Sequence, residues 1–189
     1  FGKVTEQPVF QLLGGLARKK IRTYNTCAGY RYVRSRPDWD TSDWGLESPP
    51  EGPYEDLDAF LNRPDELALD LLGQGITGMK IWPFDHAAED SDGYYISNES
   101  LDRCLEPFQK IRNAVGDKMD IMVELHSLWR LPAALKIAEA LEPYNPYWYE
   151  DPVRMDSLPA LARFAEATRV PVCASETIAG RWGYRDLIE

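Results

Sequence analysis

Apolar positions along this chain recur with two periods, and the two alternate. Ile121, Val123 and Leu125 interleave with Met122, Glu124 and His126. Residues two apart share one face of a strand. The stretch Asp120–Trp129 therefore predicts a short apolar strand ending in two polar residues, Glu124 and His126, that point the same way. Pro146–Pro152 and Val170–Thr177 predict further strands, which deliver Glu150 and Glu176. Ile76–Trp82 predicts another, with Lys80 and Trp82 on a shared face, and Ile21–Tyr30 the first. Helical spacing fills the intervals. Pro64-Asp65-Glu66 opens a helix through Leu67 and Leu71 that Gly73 and Gly75 close. Leu101, Cys104, Phe108, Ile111 and Val115 mark a second helix, and Leu131, Leu135, Ala138 and Leu141 a third. Asp156 is the expected N-cap of a fourth, with Leu158, Leu161 and Phe164 inward. Phe1–Gly15 reads as the end of a helix stopped by Gly14-Gly15, and the last residues as the start of another.

Strand and helix alternating in this way require a parallel sheet. The predicted fold class is α/β, a (β/α) barrel of the TIM type, with an open doubly wound sheet as the alternative. No Gly-x-Gly-x-x-Gly follows any strand, which leaves nucleotide binding without support. No Gly-x-Ser-x-Gly or paired Cys/His pattern offers a nucleophile. Two segments lack either period. Arg31–Pro64 is rich in Pro, Trp, Tyr and Asp; following a strand, it is expected on the active-site rim as a lid, or else packed on a neighbouring subunit. Pro83–Ser97 is expected as a second rim loop, with His86 exposed in it.

The three glutamates carry the chemistry. Glu124 to Glu150 and Glu150 to Glu176 are both intervals of 26 residues, about the length of one strand–helix repeat. Adjacent strand ends of a barrel lie side by side, so three carboxylates converge at the C-terminal rim. Converging carboxylates need a cation, and an all-oxygen ligand set suits Mg²⁺ or Mn²⁺ and not zinc. The alternative is three unrelated glutamates just beyond strand ends, where polar residues are common.

Composition narrows the partners. A net charge of −10 argues against nucleic acid or an anionic membrane as partner, but not against a small anionic substrate beside a bound cation. Cys27, Cys104 and Cys173 are widely spaced and read as reduced thiols of a cytoplasmic protein. No apolar run approaches membrane-spanning length. The 189 residues supply five strand–helix units, whereas a complete barrel takes about 250 residues, so the chain reads as part of one barrel domain.

Met79-Lys80, Val123-Glu124-Leu125-His126, Tyr149-Glu150-Asp151-Pro152 and Ala174-Ser175-Glu176 occur in this order over nearly the whole chain. On these segments the chain resembles the enolase superfamily, in its mandelate racemase/muconate lactonizing enzyme-like branch. The resemblance implies a modified barrel, of which strands one to five are here, and an N-terminal capping domain and last strands outside residues 1–189. It implies one Mg²⁺ held by Glu124, Glu150 and Glu176, a homo-oligomer, and removal of a proton beside a carboxylate to give an enediolate. Lys80 matches the first lysine of the family's Lys-x-Lys pair, while the second, the usual base, is Trp82 here. That departure counts against lysine-based racemisation. Three glutamates and one Mg²⁺ sum to −1, so a second cation is needed to receive an anionic substrate, and Lys80 is the candidate. His126 matches the acid-x-His pair of the acid-sugar dehydratases, in which the histidine helps a hydroxyl leave; those enzymes usually carry Asp where this chain has Glu124. The implied activity is an Mg²⁺-dependent dehydration of a sugar acid. The alternatives are racemisation or epimerisation of a hydroxy acid, and a non-catalytic relative that binds sugar acids. For His126 the plain alternative is a structural hydrogen bond to a glutamate.

Overall fold

A computed structural model describes residues 1–29 and 56–189. Four parallel strands form one sheet: β1 (Gly78–Ile81), β2 (Asp120–Glu124), β3 (Trp148–Glu150) and β4 (Val172–Cys173), in the order β1-β2-β3-β4. A doubly wound sheet reverses its strand order at a switch point. This order never reverses, as in the wall of a barrel.

The helices are α1 (Gly2–Thr5), α2 (Val9–Leu12), α3 (Asp56–Asn62), α4 (Pro64–Gly73), α5 (Asp85–Glu89), α6 (Asn98–Val115), α7 (Leu131–Leu141), α8 (Leu158–Ala167) and α9 (Gly180–Ile188). Ser97 caps α6, its Oγ accepting from the Ser100 amide at 3.0 Å, and Gly116 ends it at φ 58°. Pro64 opens α4, where a missing N–H costs nothing. Packing of α6 on α4 and of α7 on α8 covers the sheet's outer side. Met79, Ile81, Ile121, Val123 and Tyr149 meet Phe108, Ile137 and Phe164 in the core, all fully buried. Tyr149 donates its hydroxyl to the Ala138 carbonyl at 3.1 Å, tying β3 to α7.

Several predicted elements are shorter or placed differently. The first strand is reduced to one parallel bridge, Asn25 to Met79, with Asn25 N on Gly78 O and Lys80 N on Asn25 O. Two residues on, Cys27 takes a left-handed φ of 54° and its amide bonds the Asn25 side chain at 2.7 Å, which turns the chain out of the ladder. Phe1–Gly15 is not one helix end but the two short helices α1 and α2, separated by left-handed Glu6 and by Pro8, which has no N–H to continue a helix. Of the expected lid, Asp56–Asn62 is helix α3 with Leu57, Ala59 and Phe60 buried; the Trp39–Trp44 tip lies outside the described residues. Pro83–Ser97 contains helix α5, on which His86 is exposed as expected. The N-cap of α8 is Ser157, not Asp156, whose carboxylate faces Arg130 and Arg154 at 3.6 and 3.8 Å.

Arg112 fixes the approach to two of the strands. Its guanidinium donates to Tyr144 O (2.8 Å), Gly116 O (2.8 Å), Met119 O (2.6 Å) and Asn145 O (3.1 Å). The end of α6, the lead into β2 and the lead into β3 thereby meet at one side chain. Arg112→Ala is expected to lower unfolding stability by about 2–4 kcal/mol, since each lost bond contributes roughly 0.5–1.5 kcal/mol and the bonds to Tyr144 O and Met119 O are partly buried. Arg112→Lys should restore less than half of that, because an ammonium lacks the planar fork. Urea denaturation of the three proteins measures it, and equal midpoints would remove Arg112 from this role.

Candidate active site

Parallel pairing sets the site. Register places Glu124 opposite Glu150, each the last residue of its strand, and Glu150 opposite Cys173. Glu176 follows three residues past β4. All three glutamates therefore stand at the C-terminal edge of the sheet. Lys80, next to last in β1, sends its ammonium between two of them: Nζ lies 2.9 Å from Glu124 Oε2 and 2.7 Å from Glu150 Oε1. Trp148 Nε1 donates to the second oxygen of Glu150 at 3.0 Å, and the His126 amide to the second oxygen of Glu124 at 3.0 Å. Glu124 is 1% exposed.

Three charges so close and so dry cannot titrate independently. Burial, with the neighbouring Glu150 charge adding to it, pushes the Glu124 carboxyl up to about 7 against the pull of His126 and Lys80. Burial would raise Glu150 too, but hydrogen bonds from Glu124, Lys80 and Trp148 outweigh it and hold Glu150 below the ordinary carboxylate range. Burial opposes the Lys80 ammonium, yet the two carboxylates prevail and its pKa rises.

His126 does not continue the strand. The ladder stops at Glu124, and His126 and Ser127 take left-handed φ of 49° and 58°. His126 therefore does not share a strand face with Glu124, contrary to what the alternation predicts; the turn brings its amide onto Glu124, and its ring borders the cavity that Glu124 lines. That cavity, about 360 Å³, is lined by Thr26, Ala28, Lys80, Trp82, Glu124, His126 and Glu176. His126 also lines a second cavity of similar size, walled by Asp92, Ser127, Leu128, Arg154 and Thr177 among others. The ring's Nδ1 is 2.8 Å from Asp85 Oδ2. Burial alone would lower the imidazole pKa, but Asp85, Glu124 and Glu176 together raise it.

Two carboxylates escaped the sequence reading. Asp85, on α5, is buried against His126; no spacing links residues 41 apart on different elements. Asp151, fully buried, accepts from the Glu176 amide at 3.1 Å and the Ser175 hydroxyl at 3.4 Å, and so holds the third glutamate's backbone. The sequence signal was available: Asp151 lies inside the Tyr-Glu-Asp-Pro segment, at a strand end.

The rim is tied crosswise by backbone bonds, Leu125 N to Glu150 O, Ser127 N to Asp151 O and Asp151 N to Cys173 O. Gly93 (φ +72°) presses so close that a Cβ there would lie 1.9 Å from the Leu128 carbonyl oxygen, and its own carbonyl accepts from Arg130 N at 2.9 Å. The α5 loop and the loop after β2 are thus locked together beside His126.

The donor set suits a hard divalent cation in kind: three carboxylates and no thiolate, two of them on one cavity with an ammonium. Among the described residues no three His, Cys, Asp or Glu side chains are already drawn to ligand spacing. Lys80 occupies the position between Glu124 and Glu150 instead. All three cysteines are free thiols, Cys27 and Cys104 buried, and no described helix is long and apolar enough to cross a membrane.

Known proteins share this chain's plan. The D-galactonate dehydratase of Ralstonia pickettii is 26% identical over 192 residues, covering 100% of this chain and 40% of that protein. The D-gluconate dehydratase of Thermoproteus tenax is 26% identical over 171 residues, covering 90% of this chain and 28% of that protein. The crystal structure of an enolase of the mandelate racemase subgroup from Agrobacterium tumefaciens is 49% identical with a TM-score of 0.78, covering 100% of this chain and 42% of that one. An enolase protein from Sargasso Sea environmental sequencing is 35% identical with a TM-score of 0.75, covering 96% of this chain and 40% of that one. The chain thus spans about two-fifths of the length of most of these relatives. The model of the Enolase C-terminal domain-like family matches residues 65–189, so the strand–helix wall that carries Lys80, Glu124, Glu150 and Glu176 belongs to that family, in the mandelate racemase-like branch of the enolase superfamily near the acid-sugar dehydratases.

Proposed function

We propose that this protein is an Mg²⁺-dependent dehydratase of sugar acids. The observation that carries the reading is His126: its amide holds the Glu124 carboxylate, and its ring borders the cavity that Lys80, Glu124 and Glu176 line. The two dehydratase relatives support it, one being a D-galactonate dehydratase and the other a D-gluconate dehydratase.

Glu124, Glu150 and Glu176 would hold the cation. When bound, it supplies positive charge where the substrate carboxylate gains negative charge as the α-proton leaves. The protein's own groups do the rest. Lys80 carries an ammonium, kept charged by two carboxylates, to the wall where an anionic substrate would dock. His126 supplies the proton for the departing β-hydroxyl. A general base takes the α-proton; the β C–O bond breaks, its electron pair stays on oxygen, the proton from the imidazolium turns that oxygen into water, and the pair left by the α-proton closes the C=C bond. Neighbouring Asp85, Glu124 and Glu176 favour the protonated ring that this step consumes. Trp82, where a second lysine would stand, has no basic group to take the α-proton, which counts against a lysine-based racemase. Racemisation or epimerisation of a hydroxy acid is the second reading, and His126 separates the two.

His126→Asn should lose sugar-acid turnover by about 10²–10⁴, the usual worth of general acid help, with Mg²⁺ affinity little changed. Exchange of the substrate α-proton with deuterated solvent, followed by NMR, should persist. Dehydration at the wild-type rate in this variant would make His126 structural and put the racemase reading first.

For the metal, Glu176→Gln should weaken Mg²⁺ binding by about tenfold or more, read by calorimetry on the chelator-stripped protein. Lys80→Met removes the ammonium that bridges Glu124 and Glu150; it should leave the stripped protein less stable, with added Mg²⁺ restoring part of the loss. Identical calorimetric traces for wild type and Glu176→Gln would take Glu176 out of the ligand set.

A further inference from the structure

Asp85 is an expensive residue with one visible partner. It is 2% exposed, at the first position of α5 behind the fully buried Phe84. Its Oδ2 lies 2.8 Å from His126 Nδ1, while its Oδ1 has no hydrogen-bond partner among the described residues. A buried carboxylate bonded through only one oxygen costs folding free energy, and an apolar side chain would fill the space at less cost. The His126 ring is confined on another side by Trp82, edge-on with centroids 5.6 Å apart.

We propose that Asp85 is a positioning residue for His126. By accepting from Nδ1–H it fixes the ring's rotation and keeps a proton on Nδ1, so that Nε2 is the nitrogen that exchanges a proton with the substrate. This rests on the reading of His126 as the acid that protonates the leaving hydroxyl. Which ring nitrogen carries the proton is set by the bond the other one makes, and a carboxylate at Nδ1 leaves only one arrangement of the neutral ring. After the proton has gone to the leaving oxygen, the same bond presents Nε2 as an acceptor ready to be recharged. Asp85 touches neither substrate nor cation in this scheme; it acts through the ring.

The test uses the whole protein labelled with ¹³C,¹⁵N-histidine, His126 being assigned as the resonance lost in His126→Asn. In the neutral state the wild-type ring should show the Nδ1–H tautomer. Asp85→Asn is isosteric, and its amide NH₂ donates to Nδ1, so His126 should switch to the Nε2–H tautomer. With sugar acid and Mg²⁺, the same variant should lose about 10²-fold or more in kcat, with KM changed less than about threefold, as for a wrong tautomer in other histidine acids. Asp85→Glu should recover the Nδ1–H signature. An unchanged His126 tautomer in Asp85→Asn overturns the proposal and leaves Asp85 a packing residue, whatever the turnover. The resonances are read on resting protein, so failure to turn over any sugar acid would sink the functional reading while the tautomer still decides the role of Asp85.

Discussion

One ammonium between two carboxylates organises this structure. Lys80 reaches Glu124 and Glu150 at hydrogen-bonding distance from a neighbouring strand. Without it the opposed glutamates at the ends of β2 and β3 would leave like charges abreast in a nearly dry site, which no backbone arrangement tolerates cheaply. The pairing needs all three strands in one register: β1 must bring Lys80 level with the strand ends, and β2 and β3 must end at the same height. Sheet geometry and site electrostatics are therefore one constraint. The same ammonium orients both carboxylates and helps hold Glu150 below the ordinary carboxylate range, while burial still pushes Glu124 up.

Around that pair the rim is built by passing hydrogen bonds from one strand end to the next. Main-chain amides just past β2 reach the carbonyls of Glu150 and Asp151, and the amide of Asp151 reaches Cys173. Where the main chain runs out of partners, side chains take over: Glu124 accepts from His126, and Asp151 accepts from Glu176. The segments of Glu124 and Glu150 are thereby bonded to the next strand and that of Glu176 back to Asp151, which is how a rim of loops acquires the rigidity that catalytic placement demands.

The strand–helix alternation was legible because each element announces itself over several residues: α4, α6 and α7 fall where their apolar periods put them, and β2 begins where expected but stops at Glu124, two residues before His126. The equal spacing of the glutamates was legible for the same reason, since it reflects one repeat of the fold. What was not legible is set by contacts between distant residues. Asn25 bonds Cys27 through its side chain and thereby ends a strand that the pattern extends to Tyr30. The N-cap position falls to Ser157, which makes no side-chain capping bond, while the Asp156 carboxylate faces Arg130 and Arg154. Asp85 meets His126 across 41 residues of sequence, and no local pattern encodes that meeting. Periodicity reports burial; it is silent on which buried polar groups find each other.

Gly93 shows how space alone can leave a mark that looks like chemistry. Its missing side chain is what lets the Leu128 carbonyl lie against it, and its positive φ closes the remaining route to substitution. Among descendants of this sequence the position would resist change as stubbornly as a metal ligand, although nothing that reacts ever touches it. Lineages that alter their substrate would have to do so by exchanging the residues that flank this fastening, since the fastening itself offers no variation for selection to work on.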